Sequence, residues 1–390
     1  IEPEHDGSNP AKEDSIVNQL LALPLGLAVA LAAASAGEMP RGVGADAEKE
    51  KALAETCAET VKLVEAEKPD WKAVFGKVQA ARKALAAAVG KEGEPDVPAL
   101  PGKAPMICYG KTTKDDALLK LKSQMEYYAK SASGMLDADR KYLLEWTGRS
   151  GFRKPERRRG AMKACLREAA RTSLLLSREA EEVRVKRGEE LFADDFSKGA
   201  ENWLSFGQCV AKNEGDAFRL KDEKAPHPDA MMWTKKQFDG DFLAEFTFIP
   251  HTEGTRAGAL FTICGKPRPG KKLSVCVGRT MDTYNYGIDG YHFSMHRGTT
   301  GLGNVRRVGP GLKLLMSGKD PCPKPGGAYR VAIGKVGPTI FLVVDGKLFH
   351  QYLDAATYGP VLTDGHIGIR HWAGLDASYK DFRVCRLVRE

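Results

Sequence analysis

At 390 residues the chain is long enough for two or three domains and a sizeable core, and 42% hydrophobic with 28% charged residues is ordinary for a soluble protein. The formal net charge of +8 favours anionic partners slightly, acidic polysaccharide included. The excess peaks between Arg149 and Arg187, around Arg157-Arg158-Arg159, but no recognition motif accompanies it, so nucleic acid is not expected as a partner.

The first segment, residues 1–45, reads as a leader. Its apolar run at 20–36 ends in Ala34-Ser35-Ala36-Gly37, the length and small-residue pattern of a secretory signal peptide, too short for a stable membrane span. The expected location is secreted, periplasmic or cell-surface. From there to residue 190 the spacing is helical. Ala47–Glu67 and Asp70–Val89 are predicted helices, with Asp70 as N-cap and Gly90 as stop. Residues 90–105 are too rich in Pro and Gly for regular structure. Helices are predicted again at Asp115–Lys130 (capped by Thr113), Asp137–Trp146 and Arg157–Glu189. Their apolar stripes imply a helical hairpin or small bundle, a spacer or a surface that binds another protein or self-associates. Gly110-Lys111-Thr112 does not make a phosphate loop, because the required preceding glycine is Pro105.

Near Leu191 the period changes to two and stays there. Predicted strands are Ala217–Leu220, Phe242–Ile249, Ala257–Ile263, Leu273–Arg279, Tyr291–His296, Tyr329–Val336, Thr339–Val344, Lys347–Tyr352, Gly365–His371 and Ala377–Val384. Asp345-Gly346 is a type I′ hairpin signal. The expected fold is α+β multidomain: a helical hairpin or bundle over 46–190, then an all-β sandwich or jelly roll over 191–390. The eight cysteines lie far apart, and none forms the CxxC pair of a zinc knuckle or redox motif.

Within the β region Tyr291, Phe293 and Met295 alternate with His292, Ser294 and His296. A strand would turn the first three to a core and the others to a groove or to water. The segments L-F-A-D-D-F, W-T-K-K-Q-F-D-G-D-F-L-A-E-F-T-F-I-P, G-Y-H-F-S-M-H-R-G and T-Y-G-P-V-L-T-D-G-H-I-G-I-R with A-S-Y-K-D-F-R-V together resemble the YesU-like family over 191–390. That resemblance implies a concanavalin-A-like jelly roll and a carbohydrate-related role with polysaccharide or oligosaccharide as partner. It also implies His292, Ser294, Arg297 and Arg370 as shared polar residues.

The paired acids of laminarinase-type hydrolases of this fold, E-x-D-x-E on one strand, are missing; Glu245 is the sole acid on its strand. Uronate lyase chemistry asks for a base, an acid and a cation to neutralise the sugar carboxylate. The expected catalytic set is His292, His296, Tyr286 and Arg297, with Ser294, Tyr284, Arg370, His371, Trp372 and Glu245 contacting substrate. The functional expectation is cleavage of a polysaccharide, an acidic one included; the alternative is a lectin-like binding module. Asp194, Asp195 and Asp381 are candidate ligands for a structural Ca²⁺, the cation usual in such sandwiches.

Overall fold

The computed structural model describes residues 44–89, 102–145, 155–207, 209–214, 217–222, 230–252, 258–273, 287–298, 301–309, 311–372 and 374–390. The apolar run at 20–36 and the predicted strand at Leu273–Arg279, past its first residue, lie outside them. Two compact units divide the chain: residues 1–95 with 125–174, and residues 96–124 with 175–390. No helix among the described residues is long and apolar enough to cross a membrane.

The first unit is helical. Helix α1 (Gly44–Glu65) buries Leu53, Cys57, Thr60 and Val64, and α2 (Trp71–Val89) buries Val74, Val78, Ala81 and Leu85. Each set falls at intervals of three or four, one stripe per helix. The short turn at 66–70 folds the two against each other, and the Asp70 carboxylate caps α2 by accepting from the N–H groups of Lys72 (3.0 Å) and Ala73 (3.2 Å). Helix α3 (Lys114–Glu145), which belongs to this unit from Met125 on, is continuous where two helices are expected, since Gly134 sits mid-helix without breaking it. Thr113 caps it in a reciprocal box with Asp116, whose carboxylate accepts the Thr113 N–H at 2.8 Å. Helix α4 (Pro155–Leu176) buries Met162, Leu166, Ala169 and Ala170, together with a Glu168–Arg171 ion pair at 2.9 Å.

The second unit is a two-layer sandwich that begins earlier than the period change suggests. Strand β1 (Ala104–Tyr109) follows the Pro-rich segment and pairs in parallel with β2 (Ala180–Asp194). The helix expected to run to Glu189 therefore ends at Leu176. In A-E-E-V-R-V-K-R the buried Val183 and Val185 alternate with polar residues, and strand pairing on both sides of β2 outweighs the helical propensity of its Glu, Lys and Arg.

The remaining strands are β3 (Trp203–Gly207), β4 (Cys209–Glu214), β5 (Ala217–Asp222), β6 (Ala230–Thr234), β7 (Phe238–Asp239), β8 (Phe242–Pro250), β9 (Gly258–Pro267), β10 (Ile288–Met295), β11 (Leu302–Val308), β12 (Leu312–Lys319), β13 (Tyr329–Val336), β14 (Thr339–Val344), β15 (Lys347–Leu353), β16 (Asp364–Trp372) and β17 (Asp376–Arg389). Sheet A runs β1-β2-β17-β8-β13-β14-β15, with β5 on β17 and β4 on β5; sheet B runs β12-β11-β10-β9-β16-β6-β3, with β7 on β16. The β13–β14–β15 meander is set by local signals. Asp345 and Gly346 both have positive φ (50° and 75°), the type I′ geometry that the dipeptide predicts.

The core lies between the sheets. Phe242, Ala244, Phe246 and Phe248 of β8 meet Phe261 and Ile263 of β9, Tyr291, Phe293 and Met295 of β10, and Ile367 and Ile369 of β16. Phe246 and Phe261 stack at 4.1 Å between ring centroids. On the far side of sheet A, the Gln351 amide accepts the Ile107 N–H (2.8 Å) and donates to the Pro105 carbonyl (3.1 Å), which clamps β1 in place. Cys108, Cys264, Cys322 and Cys385 are buried free thiols, and burial pushes that of Cys264 up to about 12.

Candidate functional site

Because Tyr291, Phe293 and Met295 fill the core, alternation places His292 and Ser294 on the opposite face of sheet B. The sheet register then decides their company. His292 stands between Thr262 of β9 and Arg306 of β11, and Ser294 between Leu260 and Asn304. Arg370 of β16 flanks Leu260 from the other side, so it shares a row with Ser294 two strands away, roughly 10 Å between backbones. His292 (4% exposed), Ser294 (2%) and Arg370 (2%) are all withdrawn from bulk water, while Arg306 is half-buried.

The strip is a connected polar surface. Ser294 Oγ accepts the Asn304 N–H at 3.1 Å and donates to its carbonyl at 3.3 Å. The Asn304 amide satisfies both its ends when its oxygen accepts from Arg297 Nη1 (2.8 Å) and its nitrogen donates to Ser317 Oγ (2.7 Å). Arg297 is thereby joined to the same face. Burial first, then the guanidinium groups of Arg306, Arg370 and Arg297, hold His292 well below the usual histidine range. Its imidazole is neutral near pH 7, able to accept or donate a hydrogen bond.

His296 does not join them. Its backbone φ of +54° breaks the alternation of the strand, and its ring packs beside the core residue Phe248. There Nδ1 lies 2.8 Å from the Cys322 carbonyl and Nε2 lies 2.9 Å from that of Thr252. A ring held between two carbonyl groups is a packing element, so the expected catalytic role of His296 is corrected. Asp320 makes this turn possible: one carboxylate oxygen accepts the N–H groups of His296 and Cys322 (2.9 Å each), and the other accepts the Arg297 N–H. Sequence reasoning missed Asp320. A buried acid in G-K-D-P-C carries no local signal of which backbone it will meet.

His371 is likewise a core residue, fully buried, with Nδ1 3.1 Å from the Leu375 carbonyl and Nε2 against the Tyr379 hydroxyl. One position beyond Arg370, it points to the other side of β16. Burial pushes its imidazole down to about 4, and the expected substrate contact is corrected.

Glu245 stands on the other sheet. It lies on the face of sheet A away from the core, where it accepts from the Tyr109 hydroxyl (2.9 Å) and Arg187 Nη2 (2.9 Å). That cluster ties β1 and β2 to β8 and shares no groove with His292; burial, then the neighbouring Glu245 charge, pushes the Tyr109 hydroxyl up to about 12. Tyr284 and Tyr286 lie outside the described residues, and Trp372 is described only by its backbone pairing with Gly258.

The aspartates expected to hold Ca²⁺ have other occupations. Asp194 accepts the Phe196 N–H (2.8 Å) on one oxygen and Trp203 Nε1–H (2.8 Å) on the other, which sets the turn after β2. Asp195 accepts the Ser197 N–H at 2.9 Å, and Asp381 sits exposed in a bulge of β17. Among the described residues no group of three His, Cys, Asp or Glu side chains is placed to hold a metal ion.

The class is thus defined: an all-β jelly-roll sandwich, with four helices among the described residues before its second strand, and a buried polar strip on one sheet. Residues 191–384 match the model of the family described as a domain of unknown function (DUF1961). An uncharacterised protein, YesU, from Bacillus subtilis (strain 168) is 38% identical over 87 residues, 21% of this chain and 40% of that protein, so the match spans well under half of that relative. Among solved structures, a protein of unknown function with a galectin-like fold from Bacillus subtilis is similar at 24% identity and a TM-score of 0.48, covering 53% of this chain and 100% of that one. The carbohydrate-binding module CBM66 from Bacillus subtilis is similar at 12% identity and a TM-score of 0.34, covering 47% of this chain and 95% of that one.

Proposed function

We propose that the His292 face of sheet B engages a glycan, in an exported protein whose helical unit serves as spacer or interaction domain. The observation that carries this is convergence. His292, Ser294 and Arg297, close in the chain, share one face with Arg370, Thr262, Asn304 and Arg306 from three other strands. Hydroxyl, amide, imidazole and guanidinium groups side by side are the donors and acceptors that sugar hydroxyls match, and the YesU-like resemblance implies the same ligand class.

A second reading, cleavage, is favoured by one feature, the pairing of the His292 imidazole with Arg306 on the adjacent strand, the types of base and cation that elimination from a uronate needs. The paired acids of ordinary glycoside hydrolysis have no counterpart at the registers of this strip among the described residues, so elimination is the chemistry it would support. The test is incubation of the full chain with acidic and neutral polysaccharides. Retarded migration in affinity gels reports binding; new reducing ends or unsaturated-uronate absorbance reports cleavage. His292→Gln should lose any product formation while binding persists. Binding without product makes the chain a module, and an absence of binding across the panel overturns the proposal.

A further inference from the structure

We infer that Gln124 of α3 is a positioning residue for the His292 face, acting through Ser317 and Asn304 on the side chains of Ser294 and Arg297. The inference rests on the glycan reading above for what the face does, but not for its geometry.

The row that begins at Ser294 runs outward across the sheet. Ser294 pairs with Asn304 of β11, Asn304 pairs with Ser317 of β12, and β12 is the edge of sheet B. An edge strand carries N–H groups that no neighbouring strand can take. At Ser317 the acceptor comes from outside the sheet: Gln124 Oε1 accepts the Ser317 N–H at 3.2 Å. Both residues are buried and belong to the sandwich unit, which includes residues 96–124. Helix α3 is fixed there by two sets of contacts. The turn from β1 is tied by the Tyr109 N–H to Thr112 Oγ1 (2.8 Å) and by the Thr112 N–H to the Tyr109 carbonyl (3.1 Å). Further along, Lys120 Nζ lies 5.6 Å from the centre of the Phe349 ring on β15.

What Gln124 holds in place is passed inward. The Ser317 hydroxyl accepts from the Asn304 amide nitrogen at 2.7 Å, and the amide oxygen accepts from Arg297 Nη1 at 2.8 Å. The last torsion of an asparagine is broad, so its hydrogen-bond partners choose the plane of the amide. A shift of Ser317 therefore turns the group that Arg297 meets. The Asn304 backbone, which exchanges hydrogen bonds with Ser294 Oγ (3.1 and 3.3 Å), moves with it. Gln124 Nε2 has no hydrogen-bond partner among the described residues. A buried amide N–H left unpaired is costly, so packing alone would favour an apolar side chain of the same length at this position. The oxygen that reaches Ser317 is what distinguishes Gln124 from such a side chain.

The test uses the full chain and three variants. Gln124→Met keeps the length and loses the acceptor, Gln124→Glu keeps an acceptor oxygen, and Leu121→Ala is a buried change on the same helix outside this chain of bonds. Two-dimensional NMR of the side-chain amides reads Asn304 directly, its signal assigned by its loss in Asn304→Asp. That signal should shift in Gln124→Met, return toward the parent in Gln124→Glu and stay in place in Leu121→Ala. For a glycan that the parent binds, calorimetry should show affinity about fivefold or more weaker in Gln124→Met than in Leu121→Ala. Should Gln124→Met fail to fold, Gln124→Asn, one methylene too short to reach Ser317, makes the same comparison. An Asn304 signal unmoved by loss of the acceptor, or moved as far by Leu121→Ala, overturns the positioning inference and leaves the glycan site standing. So does a glycan affinity in Gln124→Met no weaker than in Leu121→Ala. A shifted signal in a chain that binds no glycan upholds the positioning of Asn304 and overturns the glycan reading instead.

Discussion

Asp320 is the residue on which the geometry of the strip most depends, and its removal gives the sharpest test. It is 3% exposed and accepts three backbone N–H groups, those of His296, Arg297 and Cys322. Asp320→Ala leaves all three without their acceptor in a buried place. A hydrogen bond to a charged group contributes about 1.5–3 kcal/mol, and three sharing one carboxylate are not additive, so the expected loss is about 3–5 kcal/mol. Asp320→Asn keeps one acceptor oxygen but turns an NH₂ toward the remaining donors, and about half that loss is expected. Urea denaturation of the full chain, followed by near-ultraviolet circular dichroism, measures both. The substitution also frees His296 from its positive φ, so any glycan affinity should fall more than in a core variant of equal stability loss such as Val384→Ala. An Asp320→Ala midpoint within about 1 kcal/mol of the parent would refute the account of how this turn is held.

Two other outcomes follow from the buried polar groups. Gln351→Leu removes both bonds that clamp β1, and a cost of about 1–3 kcal/mol with faster hydrogen exchange at Met106–Tyr109 is expected; unchanged exchange would mean that β1 is held by packing alone. Burial pushes His350 down to about 3 and His371 to about 4, whereas an unfolded histidine titrates near 6.5. The unfolded chain therefore binds more protons on acidification, so this stability is full above about pH 6.5 and is lost as pH falls toward 4, by up to about 1.4 kcal/mol per pH unit for each ring. Urea midpoints that stay level between pH 7 and pH 4.5 would contradict it.

Much of the architecture is written locally. The stripes of α1 and α2, the Asp70 and Thr113 caps, the Asp345-Gly346 turn and the strand alternation of β8, β10, β13 and β14 are short-range patterns. Period and turn chemistry are enough to read them. Strands β3, β6, β11 and β12 were not legible in that way. In A-M-M-W-T the apolar residues do not alternate, because Met231 to Thr234 are buried on both faces of the sheet, and in L-K-L-L-M-S-G-K burial is confined to the consecutive Leu315, Met316 and Ser317.

The sequence by itself determined that His292 and Ser294 would sit opposite a core of Tyr291, Phe293 and Met295, because a strand leaves no other choice. Only the tertiary structure decided who joins them. The register of β11 on β10 brought Arg306 to His292, that of the distant β16 on β9 brought Arg370 into the row of Ser294, and the Asp320 carboxylate turned His296 inward against the pattern of its own strand. Period-two alternation holds only while φ stays extended. Where a buried side chain captures the backbone, as Asp320 does, the face of the next residue is set by a contact that no local reading contains.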